Sequence, residues 1–249
     1  VSGQPLLKLT NIHKRFGQHV VHDGISFELN KGETLALLGK SGTGKSVLLR
    51  MIIGLENPDE GEIFFQDKVI STLDECQYTQ VRMDIAYAFQ GGALFDSLTV
   101  FENLAYPLRE HTKMKFSEIS EKVNQVLTLV ELQGIQNLMP SDLSGGMKKR
   151  VGLARAIIMN PQIILYDEPT AGLDPQNRKN VLQIVKKLKL QGLASIYVTH
   201  DIPAAIELAD RIMVFNNGSV IFNDNSFNFI NSTSSIINEF IENEGYGHD

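Results

Sequence analysis

Several scarcities narrow what this chain can be. One cysteine, Cys76, stands in 249 residues, so no disulfide can close within the chain and a reducing compartment is expected. No apolar run approaches the ~18 residues that a membrane-crossing helix needs. The longest stretches, such as residues 34–38, have the length of a strand. Residues 1–5, Val1-Ser2-Gly3-Gln4-Pro5, carry neither the basic start nor the apolar core of a signal peptide. Positive charge is also short, with 23 Lys and Arg against 29 Asp and Glu and a net charge of −6. Such a balance gives no general attraction to nucleic acid or to an anionic membrane surface. Twenty glycines and eight prolines are too few for a low-complexity or collagen-like segment. A cytoplasmic location is expected, with a partner needed to hold the chain at any membrane.

What remains is globular, with 43% hydrophobic and 21% charged residues. The length suits one large domain or two small ones. Strand-like and helix-like segments alternate, which favours an α/β fold. Residues 6–10 and 25–29 alternate partially, as half-buried strands do. Residues 34–38, 63–65, 85–89 and 163–166 are short apolar runs of the kind found in buried strands, and 194–199 is a further strand. Residues 212–215 and 219–222 flank Asn217-Gly218, a hairpin signal. Helical spacing puts Ile119, Val123, Val126, Leu127 and Val130 on one face, and Val181, Ile184, Val185 and Leu188 on another. A further helix is expected over 146–159. A helical insertion over residues 92–158 thus interrupts an α/β core.

The segment 223–249 differs in composition. It holds Asp224, Glu239, Glu242, Glu244 and Asp249 but no Lys or Arg. Ile236, Ile237, Phe240 and Ile241 fall on one face of a short helix, which is expected to pack either against its own domain or on a neighbouring subunit, the second reading being the one that would help a dimer persist.

Residues 39–46, Gly39-Lys40-Ser41-Gly42-Thr43-Gly44-Lys45-Ser46, match GxxxxGK[ST] between a strand and a helix. Glycines let the backbone curl so that its N–H groups point at phosphate, and the helix start offers its positive dipole end. Lys45 then reaches the β- and γ-phosphates, and the Ser46 hydroxyl ligates Mg2+. The strand 163–166 ends in Asp167-Glu168, where open α/β sheets bind their ligands. Asp167 is read as the Mg2+ carboxylate and Glu168 as the group that orients or deprotonates the attacking water.

Those motifs fit many nucleotide hydrolases. Leu143-Ser144-Gly145-Gly146-Met147 narrows the class, because it resembles the signature of ATP-binding cassette (ABC) ATPases. The resemblance covers residues 5–225 as one ATPase domain and leaves 226–249 as a C-terminal extension. It implies a RecA-like P-loop core, an antiparallel β subdomain and an inserted α-helical subdomain. It also implies ATP and Mg2+ as cofactors. Phe16 would stack on adenine. Gly39, Lys40, Ser41, Gly42, Thr43, Gly44, Lys45, Ser46 and Val47 would surround the phosphates. Ser46, Gln90 and Asp167 would hold Mg2+, and Glu168, His200, Gln90 and Lys45 would act in hydrolysis. Ser144, Gly145, Gly146 and Asp174 would reach the ATP held by a second copy, in a head-to-tail homodimer. Met147 stands where the family has Gln and cannot supply an amide's hydrogen bonds.

Two stretches, LSGGMKKRVGLARA and residues 89–100, resemble the Mla/Mce-type lipid-transport ATPases more closely. That resemblance implies an MlaE-type permease, an MCE-domain protein and a STAS-domain subunit as partners, with phospholipid reached through the permease. It also implies a site of work on the cytoplasmic face of the inner membrane. The segment 93–108 would form the groove for a permease helix, leaving some of its apolar residues exposed. Rival readings are the ATPase of a different transporter, a soluble ABC protein, and a P-loop kinase; the last leaves the signature and His200 unexplained. Lys148-Lys149-Arg150 is expected to be a solvated or phosphate-facing helix start rather than a nucleic-acid patch. His19 and His22, beside Asp23, are too few for a metal site and are expected at the surface.

Overall fold

The computed structural model describes residues 4–243. Strands β1 (Leu7–Phe16) and β2 (His19–Leu29) pair antiparallel, Leu7 facing Leu29 and Phe16 facing His19. Alternation buries Leu7, Leu9 and Ile12 on one face, with an irregular register between Leu9 and Ile12 where Asn11 takes φ 50°. β3 (Thr34–Leu38) is buried along its whole length, as a central parallel strand covered on both faces must be. It feeds residues 39–44 into α1 (Lys45–Ile52), and β4 (Glu60–Phe65) and β5 (Lys68–Val69) complete an antiparallel sheet of order β2-β1-β4-β5.

A capping box starts α2 (Glu75–Asp84), Asp74 accepting from Gln77 N at 2.8 Å and Gln77 Oε1 accepting from Asp74 N at 3.0 Å. The helix leads into β6 (Ile85–Ala88), which stops one residue earlier than its apolar run suggests; Phe89 is exposed. The helices α3 (Val100–His111), α4 (Phe116–Leu129) and α5 (Gly145–Ile157) then intervene before β7 (Ile163–Asp167). Their apolar faces share a core with α6 (Pro175–Leu190), through Leu104, Val123, Val151 and Ile184 among others. β8 (Ala194–Val198), α7 (Ile202–Leu208), β9 (Arg211–Asn216) and β10 (Ser219–Asn225) follow. Asn217 and Gly218, at φ 46° and 78°, make the tight turn that their sequence announces.

Among the described residues the second sheet runs β10-β9-β3-β8-β7-β6, parallel except for β10 at its edge. Leu37 pairs with Val198, and Val198 with Asp167, so β3, β7 and β8 end together. That shared carboxyl edge is where an open parallel sheet presents its loops to a ligand. No helix among the described residues is long and apolar enough to cross a membrane.

The end of the described chain follows the first of the two expectations for its apolar face. α8 (Ser226–Ile230) and α9 (Ser235–Asn243) pack on this chain's own core. Phe229, Ile237, Phe240 and Ile241 join Ile202, Ala205 and Ile212 in one buried cluster, and Phe222 meets Phe229 ring to ring at 5.4 Å. The sequence spacing found the face, but β9 and α7 leave apolar surface that needs a cover, and the nearest helix supplies it. Ile236 alone of the four points outward, 54% exposed. Ile237→Ala is therefore expected to cost about 2–4 kcal/mol in chemical denaturation and Ile236→Ala less than about 0.5 kcal/mol, at dilutions where only single chains persist. Equal costs, or a cost at Ile237 that disappears on dilution, would restore the neighbour as the covering surface.

Candidate active site

The loop between β3 and α1 is shaped by what it excludes. Gly44, at φ 89°, is the N-cap of α1, and a Cβ there would lie 2.4 Å from Val21 Cγ1 and 2.9 Å from His22 Cε1. Thr43 N donates to Lys40 O at 3.3 Å, and Leu48 N donates to Gly44 O at 2.9 Å to open the helix. The Lys45 ammonium folds back over the loop, donating to Gly39 O at 2.6 Å and Lys40 O at 2.9 Å. It is 5% exposed, so phosphate oxygens are the natural exchange partners for these carbonyls.

In the first turn of α1, Ser46 Oγ donates to Asp167 Oδ1 at 2.7 Å across the sheet edge. A hydroxyl and a carboxylate so close supply the hard oxygen donors that Mg2+ takes alongside phosphate oxygens. The residues present therefore fit that ion. Gln90 lies exposed beyond β6. The side chain from this strand that reaches Asp167 is instead Tyr87, whose hydroxyl donates to Oδ2 at 2.6 Å. Burial and the adjacent carboxylate push the Tyr87 hydroxyl far above the usual tyrosine range, so it stays a donor. A tyrosine in a buried strand carries no motif, and its partner emerges only from the pairing of Tyr87 with Leu165.

Glu168 follows Asp167 with φ 47°, a left-handed conformation that costs a non-glycine residue on the order of 1–3 kcal/mol. Two bonds hold it there: Glu168 N donates to Val198 O at 3.0 Å, and Ala171 N donates to Glu168 O at 3.1 Å. The carboxylate is turned towards the end of β8, with His200 Nδ1 3.4 Å from Glu168 Oε2. Phe16, at the far end of β1, shows 46% of its surface and has Lys14 Nζ 5.1 Å above its ring.

The signature residues are engaged elsewhere in the chain. Ser144 caps α5, its hydroxyl accepting from Met147 N at 3.2 Å, and Gly145 and Gly146 form the first turn. A Cβ on Gly146 would meet Asn177 at 2.5 Å, so this turn abuts the start of α6. Met147 packs on the helical core, which accounts for a thioether where an amide was expected. Asp174 caps α6, accepting from Gln176 N and Asn177 N at 3.1 and 3.0 Å. The backbone bond from Asn177, joined by one from its side-chain amide to Asp174 Oδ2 at 2.6 Å, holds the carboxyl below the usual range.

Two expectations need correction. In Lys148-Lys149-Arg150, expected as a solvated or phosphate-facing helix start, the last two side chains are instead engaged within the chain. Lys149 donates to Ala171 O, its pKa lowered by burial and partly restored by Glu168, while Arg150 is buried and donates to Val130 O and Glu131 O at 3.3 and 3.2 Å. His22 is not at the surface but fully buried beneath the phosphate loop, Nε2 3.1 Å from Gly44 O. Because a carbonyl can only accept, Nε2 carries the proton, and Nδ1 is left buried without a hydrogen bond. The Phe215 ring meets the imidazole edge-on at 6.0 Å. His19, by contrast, is exposed.

Residues 22–171 match the family described as ABC transporter. Over 245 residues the chain is 36% identical to the intermembrane phospholipid transport system ATP-binding protein MlaF of Haemophilus influenzae, covering 98% of this chain and 93% of that protein. It is 42% identical over 213 residues to the sulfate/thiosulfate import ATP-binding protein CysA of Mesostigma viride, covering 85% of this chain and 60% of that one. A solved ATP-binding cassette, a dimer in a post-hydrolysis state bound to ADP and Pi, superposes with a TM-score of 0.82 at 33% identity. The match covers 88% of this chain and 98% of that one.

The buried histidine predicts a pH dependence. Desolvation lowers the His22 pKa from 6.5 to about 4, and the bond to Gly44 O opposes the shift only partly. Between those values the unfolded chain binds the proton and the folded one does not. The contribution to stability is therefore full above the unfolded value and lost as pH falls towards the folded one. Lowering the pH from about 7 to about 5 should remove on the order of 2 kcal/mol through this group alone. His22→Leu should flatten that portion of the curve in urea denaturation, and an unchanged slope would contradict the assignment.

Proposed function

The chain belongs to the ABC transporter ATP-binding family, and from that premise we propose that it powers the movement of phospholipid between membranes through a separate permease. Hydrolysis of ATP for a transporter is the property of the family. The phospholipid reading rests on one observation, the likeness to MlaF along 98% of the chain. Its partners are then an MlaE-type permease, an MCE-domain protein and a STAS-domain subunit, and its place is the cytoplasmic face of the inner membrane.

The steps follow from the residues. Phe16 presents an exposed aromatic face to adenine. Loop residues 39–47 wrap the phosphates with backbone N–H groups, and Lys45 exchanges its carbonyl partners for phosphate oxygens. Ser46 and Asp167, with Gln90, would hold Mg2+, which would supply positive charge where negative charge gathers in the transition state. Glu168 takes a proton from water as its oxygen forms a bond to the γ-phosphorus, and the bond to the bridging oxygen breaks to release ADP. His200 stands beside Glu168 and contacts the γ-phosphate until it leaves. The first turn of α5, with Ser144, Gly145 and Gly146, offers its N–H groups to the γ-phosphate on a second copy, and Asp174 lies at the same junction. Two chains thus enclose two ATP molecules, and hydrolysis loosens them.

A groove of about 540 Å3 beside β6 suits the permease contact. Phe89, Phe95 and Tyr106 line it and are each more than two-fifths exposed. Arg155 braces its wall, donating to Ala93 O at 2.8 Å with its guanidinium 5.4 Å from the Phe95 ring. The higher identity to CysA supports a second reading, import of a polar anion, because substrate contacts of such systems lie in other chains. Purification of the tagged chain from its native cells in mild detergent decides between them. Co-purifying permease, MCE-domain protein and phospholipid are expected. A permease accompanied by a periplasmic solute-binding protein and no lipid would favour the second reading.

A further inference from the structure

We propose that Tyr87 is a positioning residue for the Mg2+ carboxylate, fixing Asp167 so that only its Oδ1 edge turns to the ion. The inference rests on the reading of Ser46 and Asp167 as the metal-holding pair and assigns to their site a residue outside the phosphate-loop and Asp-Glu motifs. Asp167 ends β7 and is only partly buried, so its carboxylate could rotate freely about its last side-chain bond. Two neutral donors prevent this. Ser46 Oγ occupies Oδ1 at 2.7 Å, and Tyr87 Oη occupies Oδ2 at 2.6 Å. The first bond must be surrendered when the Ser46 hydroxyl and Oδ1 turn to the cation. The second need not be, because Oδ2 faces away from α1 towards β6.

The tyrosine is itself fixed. Parallel pairing sets Tyr87 opposite Leu165, two residues before Asp167, and a ring contact with Phe89 at 4.3 Å steadies its outer face. A rigid ring ending in one hydroxyl is a low-entropy way to hold a carboxylate. Phenylalanine at this position keeps the ring and loses only the bond. The carboxylate then regains rotational freedom and must be ordered by the cation at the moment of binding. Phosphate contacts through Lys45 and the loop N–H groups do not pass through Tyr87, so nucleotide affinity without metal should be unaltered.

The test is a titration of the full chain with a fluorescent ATP analogue, in EDTA and across a range of MgCl2 concentrations. Tyr87→Phe should leave affinity in EDTA unchanged and raise the Mg2+ concentration for half-maximal effect about tenfold, the scale of one hydrogen bond to a charged group. Thermal melting of the metal-free protein checks the fold. On an Asp167→Asn background, Tyr87→Phe should add nothing, because its effect passes through the carboxylate. A Mg2+ response identical to wild type would overturn the proposal, as would equal weakening in EDTA or additive effects in the double variant. If wild-type affinity ignores Mg2+ altogether, the metal reading of Ser46 and Asp167 falls too, which separates the two failures.

Discussion

Between β3 and α1 the backbone passes so close to Val21 and His22 that Gly44 has no room for a side chain. That single constraint organises the phosphate end of the molecule. It forces the left-handed turn that aims the start of α1 at the loop's interior, and it brings Gly44 O within reach of the buried imidazole of His22. Ser46 follows two residues later and lands on Asp167, 121 residues further along the chain. The antiparallel sheet is therefore a floor for the phosphate loop as well as a carrier for Phe16.

The second organising relation is the separation of the signature turn from that loop. Ser144 caps its own helix, Gly146 abuts Asn177, and Met147 is committed to the helical core. Close backbone contact ties this helix to the segment after β6, since a Cβ on Gly152 would lie 2.5 Å from Gly92 Cα. Lys149 joins it to Ala171 near Glu168. Movement of α5 is thus mechanically linked to both the groove and the carboxylate end of β7. One chain holds the loop, the Ser46–Asp167 pair and Glu168, and leaves Ser144 and Gly145 exposed at the start of α5.

Much of this was legible in the sequence, and the exceptions have a common cause. Residues 39–46, Asp167 and Glu168 could be read because backbone curling around phosphate demands glycine at fixed spacing and metal binding demands a carboxylate at a strand end. The strand 34–38 and the inward face of α6 followed from periodicity alone. Tyr87 and His22 could not be read, because each depends on what a neighbouring element places opposite it: β7 for the first, the phosphate loop for the second. The same holds for Lys149 and Arg150, whose charges looked solvated until their carbonyl partners were in place. Ile237, Phe240 and Ile241 declared an apolar face without declaring which surface it covers.

On the proposed function, one chain carries the phosphate loop and the Ser46–Asp167 pair yet only half of the enclosure that ATP needs. Light scattering of Glu168→Gln with Mg2+ and ATP examines this, because loss of the proposed base should slow turnover by about 10²–10⁴-fold and trap the enclosed state. The expected result is ATP retained in a particle of two chains that separates in EDTA. A single chain that holds ATP without pairing would contradict it.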